Sequence, residues 1–198
     1  MPPQARAQKP SKNKDKLIAA ARGLMAEKGY ADTATEDIVA KAGITRGALY
    51  YQFADKKDLF EAVFQELLEE VAHYVNEETM RRVSKDTEDL EVSSRLLLDV
   101  FARQDVKQII LQDGPAVLGI DRCRELQNPL YMYLATHSLE HLVEAGIIPQ
   151  QPLEPLAELI CGALMQAAQG IAQSDDPKSA IESYDRALQQ LYRGFLKD

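Results

Sequence analysis

The chain has 198 residues, of which 45% are hydrophobic, and it carries a net charge of −8. This composition excludes a disordered chain, and no apolar run approaches the roughly 18 residues that a membrane span needs. The polar and basic N-terminus lacks the apolar stretch of an export signal, so we expect a cytoplasmic protein with no membrane partner. Cys123 and Cys161 form no CxxC motif, which favours reduced thiols over a disulfide scaffold.

The charge is unevenly distributed along the chain. Residues 1–60 hold 11 Lys and Arg against 7 Asp and Glu, a net charge of +4. The other 138 residues hold 12 against 24, a net charge of −12. We interpret this asymmetry as one basic module joined to one acidic module.

Apolar residues recur at helical spacing along nearly the whole chain, and no segment alternates convincingly as a strand does, so we predict an all-α fold of about nine helices. The first helix ends at Gly29. Thr33 and Glu36 predict a capping box for a short second helix, which ends at Gly43.

Thr45 is predicted to cap a third helix, and Asp55 is predicted to cap a long fourth one. The inner face of the fourth helix is expected to hold Leu59, Phe60, Val63, Phe64, Leu67, Leu68 and Val71. The polar segment 84–94 predicts a connection, and Gly114-Pro115 and Gly146 predict breaks. The last two helices are predicted over about residues 153–173 and from Pro177, with Asp176 as the cap of the second.

Residues 35–57 read TEDIVAKAGITRGALYYQFADKK, a short helix, a glycine-containing turn and a second short helix. This pattern is typical of a helix-turn-helix, whose second helix enters the major groove of DNA. Ile44 is expected to fill the angle between the two helices. The second helix exposes small residues and long hydrogen-bond donors, which is atypical of a solvated helix without a partner. These exposed residues are Arg46, Gly47, Ala48, Tyr50, Tyr51 and Gln52.

Residues 14–64 resemble the DNA-binding domain of the TetR family of transcriptional regulators. The matching motifs are Gly29-Tyr30, Thr35-x-x-Ile38, Ala42-Gly43-Ile44-Thr45, the segment from Gly47 to Phe53, and Lys56-x-x-Leu59. Gln52 departs from the histidine or tyrosine that the family often has. The resemblance implies an N-terminal three-helix DNA-binding domain and a C-terminal helical domain. We therefore expect a basic flexible arm over 1–13, a DNA-binding domain over 14–58, and a dimerisation and effector-binding domain over 59–198.

The resemblance also implies which residues touch DNA. Five of them would face base edges or adjacent phosphates, namely Thr45, Arg46, Gly47, Ala48 and Tyr51. Tyr50 and Lys56 would hold the DNA backbone, and Thr35 would contribute a hydroxyl. The residue types agree with this, because arginine reads guanine through two hydrogen bonds, and tyrosine hydroxyls and lysine suit phosphates.

A single helix-turn-helix binds weakly, so we expect a homodimer on a palindromic double-stranded DNA operator. Gly162, Ala163 and Gly170 on the last two helices would allow close approach of a partner. Candidate interface residues on the same helices are Leu156, Leu159, Ile160, Ala163, Ala167, Ile171, Ile181, Leu188, Leu191, Tyr192 and Phe195. The alternative is that these residues pack only within one subunit.

The resemblance further implies a repressor that leaves its operator when an unknown small-molecule effector binds, and it implies no cofactor. Candidate pocket residues are Phe101, Cys123, Tyr131, Met132, Tyr133, His137, His141, Met165 and Gln166. An ordinary core is equally compatible with this set. A dimeric DNA-binding protein with no effector is a further alternative.

His137, Glu140 and His141 match the H-x-x-E-H pattern of a zinc-dependent hydrolase. This is the competing enzymatic hypothesis. Catalytic zinc needs a third protein ligand, and the sequence nominates none. We therefore expect no enzyme and no metal site.

Overall fold

The computed structural model describes residues 12–83 and 89–194. Within these residues every regular element is helical, which confirms the all-α prediction. The helices in chain order are α1 (Lys12–Lys28), α2 (Thr35–Ala42), α3 (Arg46–Gln52), α4 (Lys56–Arg82), α5 (Asp89–Phe101), α6 (Gly114–Val117), α7 (Ile120–Glu144), α8 (Glu154–Gln173) and α9 (Pro177–Arg193). A π-helical segment, Val106–Asp113, leads directly into α6. Residues 1–11 of the predicted arm lie outside the described residues, and α1 begins at Lys12.

The predicted helix caps at Thr45, Asp55 and Asp176 are confirmed. Thr45 Oγ1 accepts a hydrogen bond from the Ala48 amide at 3.3 Å, and the Asp55 carboxylate accepts one from the Asp58 amide at 2.8 Å. Asp176 accepts from the Ser179 amide at 3.2 Å, directly before Pro177 in the first turn of α9. Each cap satisfies an amide that the helix itself leaves without a partner.

The capping box predicted at Thr33 is wrong. The N-cap of α2 is Ala34, and no side chain caps this helix. The Thr33 hydroxyl is fully buried and donates instead to the Gly29 carbonyl at 2.7 Å. Gly29 adopts a left-handed φ of +82°, which lets the chain turn sharply after α1. The hydrogen bond from Thr33 stabilises this turn.

The break predicted at Gly114-Pro115 is also wrong. The backbone of Gly114 is helical, and the π-helical segment continues through it into α6. A β-carbon at Gly114 would lie 2.6 Å from Cε2 of the buried Phe64, so glycine is needed here for close packing. The chain turns instead at Gly119, where φ is +90°.

The predicted polar connection over 84–94 is shorter than expected, because α5 already begins at Asp89. Ser93 and Ser94 are buried on this helix, and Ser94 Oγ lies 2.6 Å from the hydroxyl of the buried Tyr192 in α9. The first turns of α5 therefore pack into the core rather than crossing the surface.

The long helix α4 joins the two parts of the molecule. All seven apolar residues predicted for its inner face are buried. It packs against α1 in the first part and against α5 and α7 in the second. Helices α8 and α9 complete the second part and pack on α5. No helix in the described part of the chain has the length and hydropathy that crossing a bilayer requires.

Candidate functional site

Helices α2 and α3 and the turn between them form the predicted helix-turn-helix. Gly43 has a left-handed φ of +65°, which lets the chain reverse at the end of α2. The Ile44 amide donates to the Val39 carbonyl at 3.0 Å and closes the turn. Leu49 and Phe53 bury one side of α3 in the core of the domain, so its opposite side is free.

The free side of α3 carries the residues predicted to contact DNA. Tyr51 is 86% exposed and Tyr50 is 44% exposed. A β-carbon at Gly47 would meet nothing within 4 Å, so a flat partner can approach the backbone closely there. Thr45 is exposed and Ala48 is half-buried. These residues form one surface with two tyrosines beside small residues.

Arg46 stands at the first position of α3 and is already engaged by its neighbours. Its Nη1 lies 2.9 Å from Oε1 of Glu36 in α2, and the guanidinium lies 5.6 Å from the Tyr50 ring centroid. A hydrogen bond to Tyr50 and the charge of Glu36 raise the pKa of Arg46. The half-buried Thr35 hydroxyl donates to the same Glu36 carboxylate at 3.1 Å. Sequence reasoning did not identify Glu36 as the partner of Arg46.

Lys56 is half-buried and points toward the interior of the domain. Its ammonium donates to the Thr33 carbonyl at 2.8 Å and lies 4.1 Å from the Tyr30 ring centroid. Burial lowers the pKa of Lys56. An ammonium has three donors, so this contact leaves two for a phosphate.

A cluster of charged side chains joins α1 to the second part of the molecule. Arg22 of α1 pairs with Glu70 of α4 and, at 2.7 Å, with Asp105. Arg103 lies 2.9 Å from each of the same two carboxylates. The hydrogen bonds from Arg22 lower the pKa of Glu70, and they outweigh the opposing effect of its burial.

The end of α1 is held by a further contact. The Tyr30 amide donates to Oδ2 of Asp113 at 2.8 Å. Asp113 is the last residue of the π-helical segment, and Asp105, which caps the start of that segment, pairs with Arg22. The start of the π-helical segment therefore contacts α1 through Asp105, and its end contacts the turn after α1 through Asp113.

Two neighbouring cavities lie in the second part of the molecule, and they share Ser93 and Leu134 in their walls. The first is apolar, lies between α5, α7 and α8, and has a volume of about 20 Å³. The predicted pocket residues Phe101, Tyr131 and Met165 line it. This volume is little more than one water needs, so side chains nearly fill it.

The second cavity lies between α4, α5 and α7 and has a volume of about 260 Å³. Its walls are lined by Asn76, Thr79, Met80, Val83, Asp89, Ser93, Leu134, His137, Ser138 and His141. We call it the α4–α5–α7 cavity. Of the predicted pocket residues it contains His137 and His141. Cys123, Tyr133 and Gln166 line neither cavity, and Tyr133 and Gln166 are exposed.

The α4–α5–α7 cavity contains a carboxylate–imidazole pair. Nδ1 of His141 lies 2.5 Å from Oδ2 of Asp89, and the His137 ring centroid lies 4.4 Å from that of His141. Thr79 Oγ1 is the only buried side-chain polar atom without a hydrogen-bond partner among the described residues. The H-x-x-E-H pattern pointed to the two histidines, but nothing in the sequence pointed to Asp89 or Thr79.

The zinc hypothesis finds no third ligand in the described part of the chain. No group of three His, Cys, Asp or Glu side chains there is arranged to hold a metal ion. His141 is engaged by Asp89, and Glu140 Oε2 lies 3.9 Å from His137 Nδ1. The arrangement gives zinc hydrolysis no geometric support.

The candidate dimer residues divide into two sets. Leu156 and Ala163 are half-buried. The candidates buried in the core of the single subunit are Ile160, Ala167, Ile171, Ile181, Leu188 and Tyr192. Leu159 is 72% exposed and Leu191 is 59% exposed. A β-carbon at Gly162 would meet nothing within 4 Å, whereas one at Gly170 would collide with the Tyr184 side chain of the same subunit. Phe195 lies outside the described residues.

Comparison with known proteins gives matches to both parts of the chain. Residues 87–195 match the family described as "Tetracyclin repressor-like, C-terminal domain". Residues 17–63 match "Bacterial regulatory proteins, tetR family". The Transposon Tn10 TetC protein of Escherichia coli is 25% identical over 182 residues, which cover 91% of this chain and 88% of that protein.

Solved structures show the same fold. The crystal structure of a TetR-family transcriptional regulator from Pectobacterium atrosepticum is 31% identical, with a TM-score of 0.82, and the match covers 94% of this chain and 95% of that one. The transcriptional regulator FadR from Bacillus subtilis, solved in complex with stearoyl-CoA, has a TM-score of 0.71 at 18% identity. That match covers 89% of this chain and 96% of FadR.

Proposed function

Because this chain belongs to the TetR family of transcriptional regulators, we propose that it represses transcription by binding an operator as a homodimer. Each subunit places α3 in the major groove of a palindromic double-stranded DNA site. The observation that carries this proposal is the free side of α3, where Arg46, Tyr50 and Tyr51 stand beside the open backbone of Gly47.

The contacts divide between bases and backbone. The Arg46 guanidinium leaves the Glu36 carboxylate and donates two hydrogen bonds to a guanine base. Thr45, Ala48 and Tyr51 face neighbouring base edges or phosphates, and the lack of a side chain at Gly47 lets the groove approach. The hydroxyls of Tyr50 and Thr35 and the free donors of Lys56 bind the DNA backbone.

The homodimer forms through the exposed faces of α8 and α9. Leu159 and Leu191 supply exposed apolar contacts, and Gly162 lets the partner helix approach closely. In this family's fold such faces build a four-helix bundle from two subunits. Buried residues such as Ile160 and Leu188 support the interface from inside the subunit.

A small-molecule effector releases the protein from DNA by favouring a spacing of the two α3 helices that no longer fits successive grooves. The α4–α5–α7 cavity is the candidate binding site because it is the larger of these two cavities and amide, hydroxyl and imidazole side chains line it beside apolar ones. FadR, which shares this fold, was solved with a small molecule bound. On this proposal residues 14–58 bind DNA, residues 59–198 dimerise and bind the effector, and the protein catalyses no reaction.

The test is to select bound fragments from a library of genomic DNA with the purified protein. We expect enrichment of a palindromic site whose half-sites lie about one helical turn apart, in the range of 10 base pairs. Footprinting on the enriched fragments then gives the operator. Recovery of fragments with no shared sequence would contradict sequence-specific repression.

A further inference from the structure

The helix-turn-helix is joined to the second part of the molecule in two ways. The chain itself crosses once, through the continuous helix α4. Helix α1 makes a second connection, because it packs both on α3 and on the π-helical segment. A long helix can bend, whereas an additional attachment beside it fixes the orientation of the two parts that it joins. The orientation of α3 therefore depends on how α1 is held.

The π-helical segment is itself fixed in the core of the second part. Val106, Ile109 and Ile110 are at most 1% exposed, and the segment packs against α5 and α8. It continues into α6, where the lack of a side chain at Gly114 allows close packing on Phe64. The polar residues of the segment are therefore held at fixed positions toward α1.

Several of the contacts that hold α1 have strict geometry. Arg22 donates through two nitrogens, from Nη1 to Glu70 and from Nη2 to Asp105 at 2.7 Å. The Tyr30 amide donates to Asp113 at 2.8 Å. We call these three contacts the α1 anchor. Hydrogen bonds depend on angle as well as distance, and a guanidinium presents its donors in a rigid plane, so the α1 anchor defines an orientation.

In a homodimer this orientation occurs twice. The separation of the two α3 helices depends on how each helix-turn-helix is oriented relative to the dimer interface. One extra base pair between the half-sites moves them apart by about 3.4 Å and rotates one relative to the other by about 34°. A helix-turn-helix with a fixed orientation cannot follow such a change, whereas a loosely attached one can.

We propose that the α1 anchor fixes the half-site spacing that the dimer accepts. Arg22, Asp105 and Asp113 are positioning residues, which act through α1 on the orientation of α3. This proposal rests on the proposed function, because it concerns the operator of a homodimer. It requires no effector, so it is measurable with protein and DNA alone.

The spacing is tested with duplexes that carry the selected half-sites. The distance between the half-site centres is kept, or it is changed by one or two base pairs in either direction. Fluorescence anisotropy gives the ratio of the Kd for each altered duplex to the Kd for the selected one. We expect wild type to bind the altered duplexes at least about tenfold more weakly. Equal affinity across the series would overturn the proposal.

Variants then release the α1 anchor. Arg22→Met removes the guanidinium, and its combination with Asp113→Ala removes all three contacts. The Arg22 and Asp105 side chains are 21% and 20% exposed, so water weakens their attraction and we expect Arg22→Met to fold. We expect the Kd ratio to fall about threefold in Arg22→Met and about tenfold in the double variant, because a mobile domain reaches half-sites at other spacings. A wild-type ratio in the double variant, or in Arg22→Met if the double variant does not fold, would overturn the proposal.

Two controls separate positioning from charge and stability. Lys28→Met also removes a cation from α1, but Lys28 pairs with Asp37 of α2 at 2.6 Å. Asp113→Asn keeps an oxygen that can accept from the Tyr30 amide. We expect both to keep the wild-type Kd ratio, since a lost charge weakens binding to every duplex alike. A ratio that falls as far in Lys28→Met as in Arg22→Met would overturn the proposal.

Failure of the proposed function gives a different result. If wild type binds none of the duplexes specifically, the proposed function is overturned. If wild type binds them and the variants keep its Kd ratio, the role of the α1 anchor alone is overturned. The two failures are therefore distinguishable.

Discussion

At the scale of single residues, Arg46 and Glu36 form a pair that the proposed contact of Arg46 with a base has to open. Both side chains are more than half exposed, so water screens their attraction and the pair is weak. The pair still holds the guanidinium over Tyr50 and places a carboxylate beside the surface that is proposed to contact DNA. Glu36 therefore opposes DNA binding twice, through Arg46 and through its own charge.

We expect Glu36→Gln to tighten operator binding about threefold, because it frees Arg46 and removes a negative charge near the phosphates. Fluorescence anisotropy with a labelled operator at constant salt measures the change. Glu77→Gln on α4 makes the same charge change away from α3 and is expected to leave the affinity unaltered. Weaker binding by Glu36→Gln would show instead that the carboxylate contacts a base.

At the scale of elements, the π-helical segment Val106–Asp113 determines how α1 is held. Asp113 accepts the Tyr30 amide at one end, and Asp105 pairs with Arg22 at the other. Between these contacts, the Gln104 side chain donates to the Ala26 carbonyl at 3.3 Å. The DNA-binding domain is thus attached to the second part of the molecule through polar contacts as well as through α4.

We expect Asp113→Ala to lower the free energy of unfolding by about 1 to 3 kcal/mol, because it leaves the partly buried Tyr30 amide without an acceptor. Asp113→Asn keeps an oxygen at the same position and is expected to retain most of the stability. Urea denaturation followed by circular dichroism compares the variants. Equal stability of the alanine and asparagine variants would mean that this hydrogen bond contributes nothing.

Some features that depend only on neighbours in the chain were predictable from the sequence, although the capping box at Thr33 was not. Features that depend on packing were not predictable. The caps at Thr45 and Asp55 each need only an amide three residues ahead, and both are present. Gly114 was predicted to break a helix, but it lies inside one. Glycine is needed there because Phe64, which is distant in the sequence, leaves no room for a β-carbon.

The same distinction applies to the candidate sites. The residues of α3 are consecutive in the sequence, so their helical spacing predicted which of them are exposed on one surface. The α4–α5–α7 cavity brings together Thr79, Asp89 and His141 from three helices. No sequence spacing relates these three residues. The buried Thr79 hydroxyl lacks a hydrogen-bond partner because of how the surrounding helices pack, which the sequence does not show.

At the scale of the whole molecule, charge and exposed apolar surface indicate how two subunits are arranged. Residues 1–60 carry a net charge of +4, and the other 138 carry −12. On the proposed function, the negative charge of the second part disfavours its contact with DNA, so the end that contains α3 is the expected binding face. Leu159 and Leu191 then lie in the part of the chain available for subunit contact.

We expect the double variant Leu159→Glu with Leu191→Glu to weaken dimer association about thirtyfold or more, because it places charges at the centre of an apolar interface. Analytical ultracentrifugation measures the mass across a concentration series. Ile120→Glu is the matched control, since Ile120 is 61% exposed at the start of α7. Dimers of unchanged stability in the double variant would place the interface elsewhere.

The central claim, that α3 reads a specific operator, is tested most directly by anisotropy titrations of wild type and Arg46→Ala against the operator and a scrambled duplex. We predict that wild type prefers the operator and that its affinity falls steeply with salt. We predict that Arg46→Ala binds the operator at least about tenfold more weakly while keeping the same dimer mass. Equal operator affinity of the two proteins, or no preference of wild type for the operator, would contradict the account.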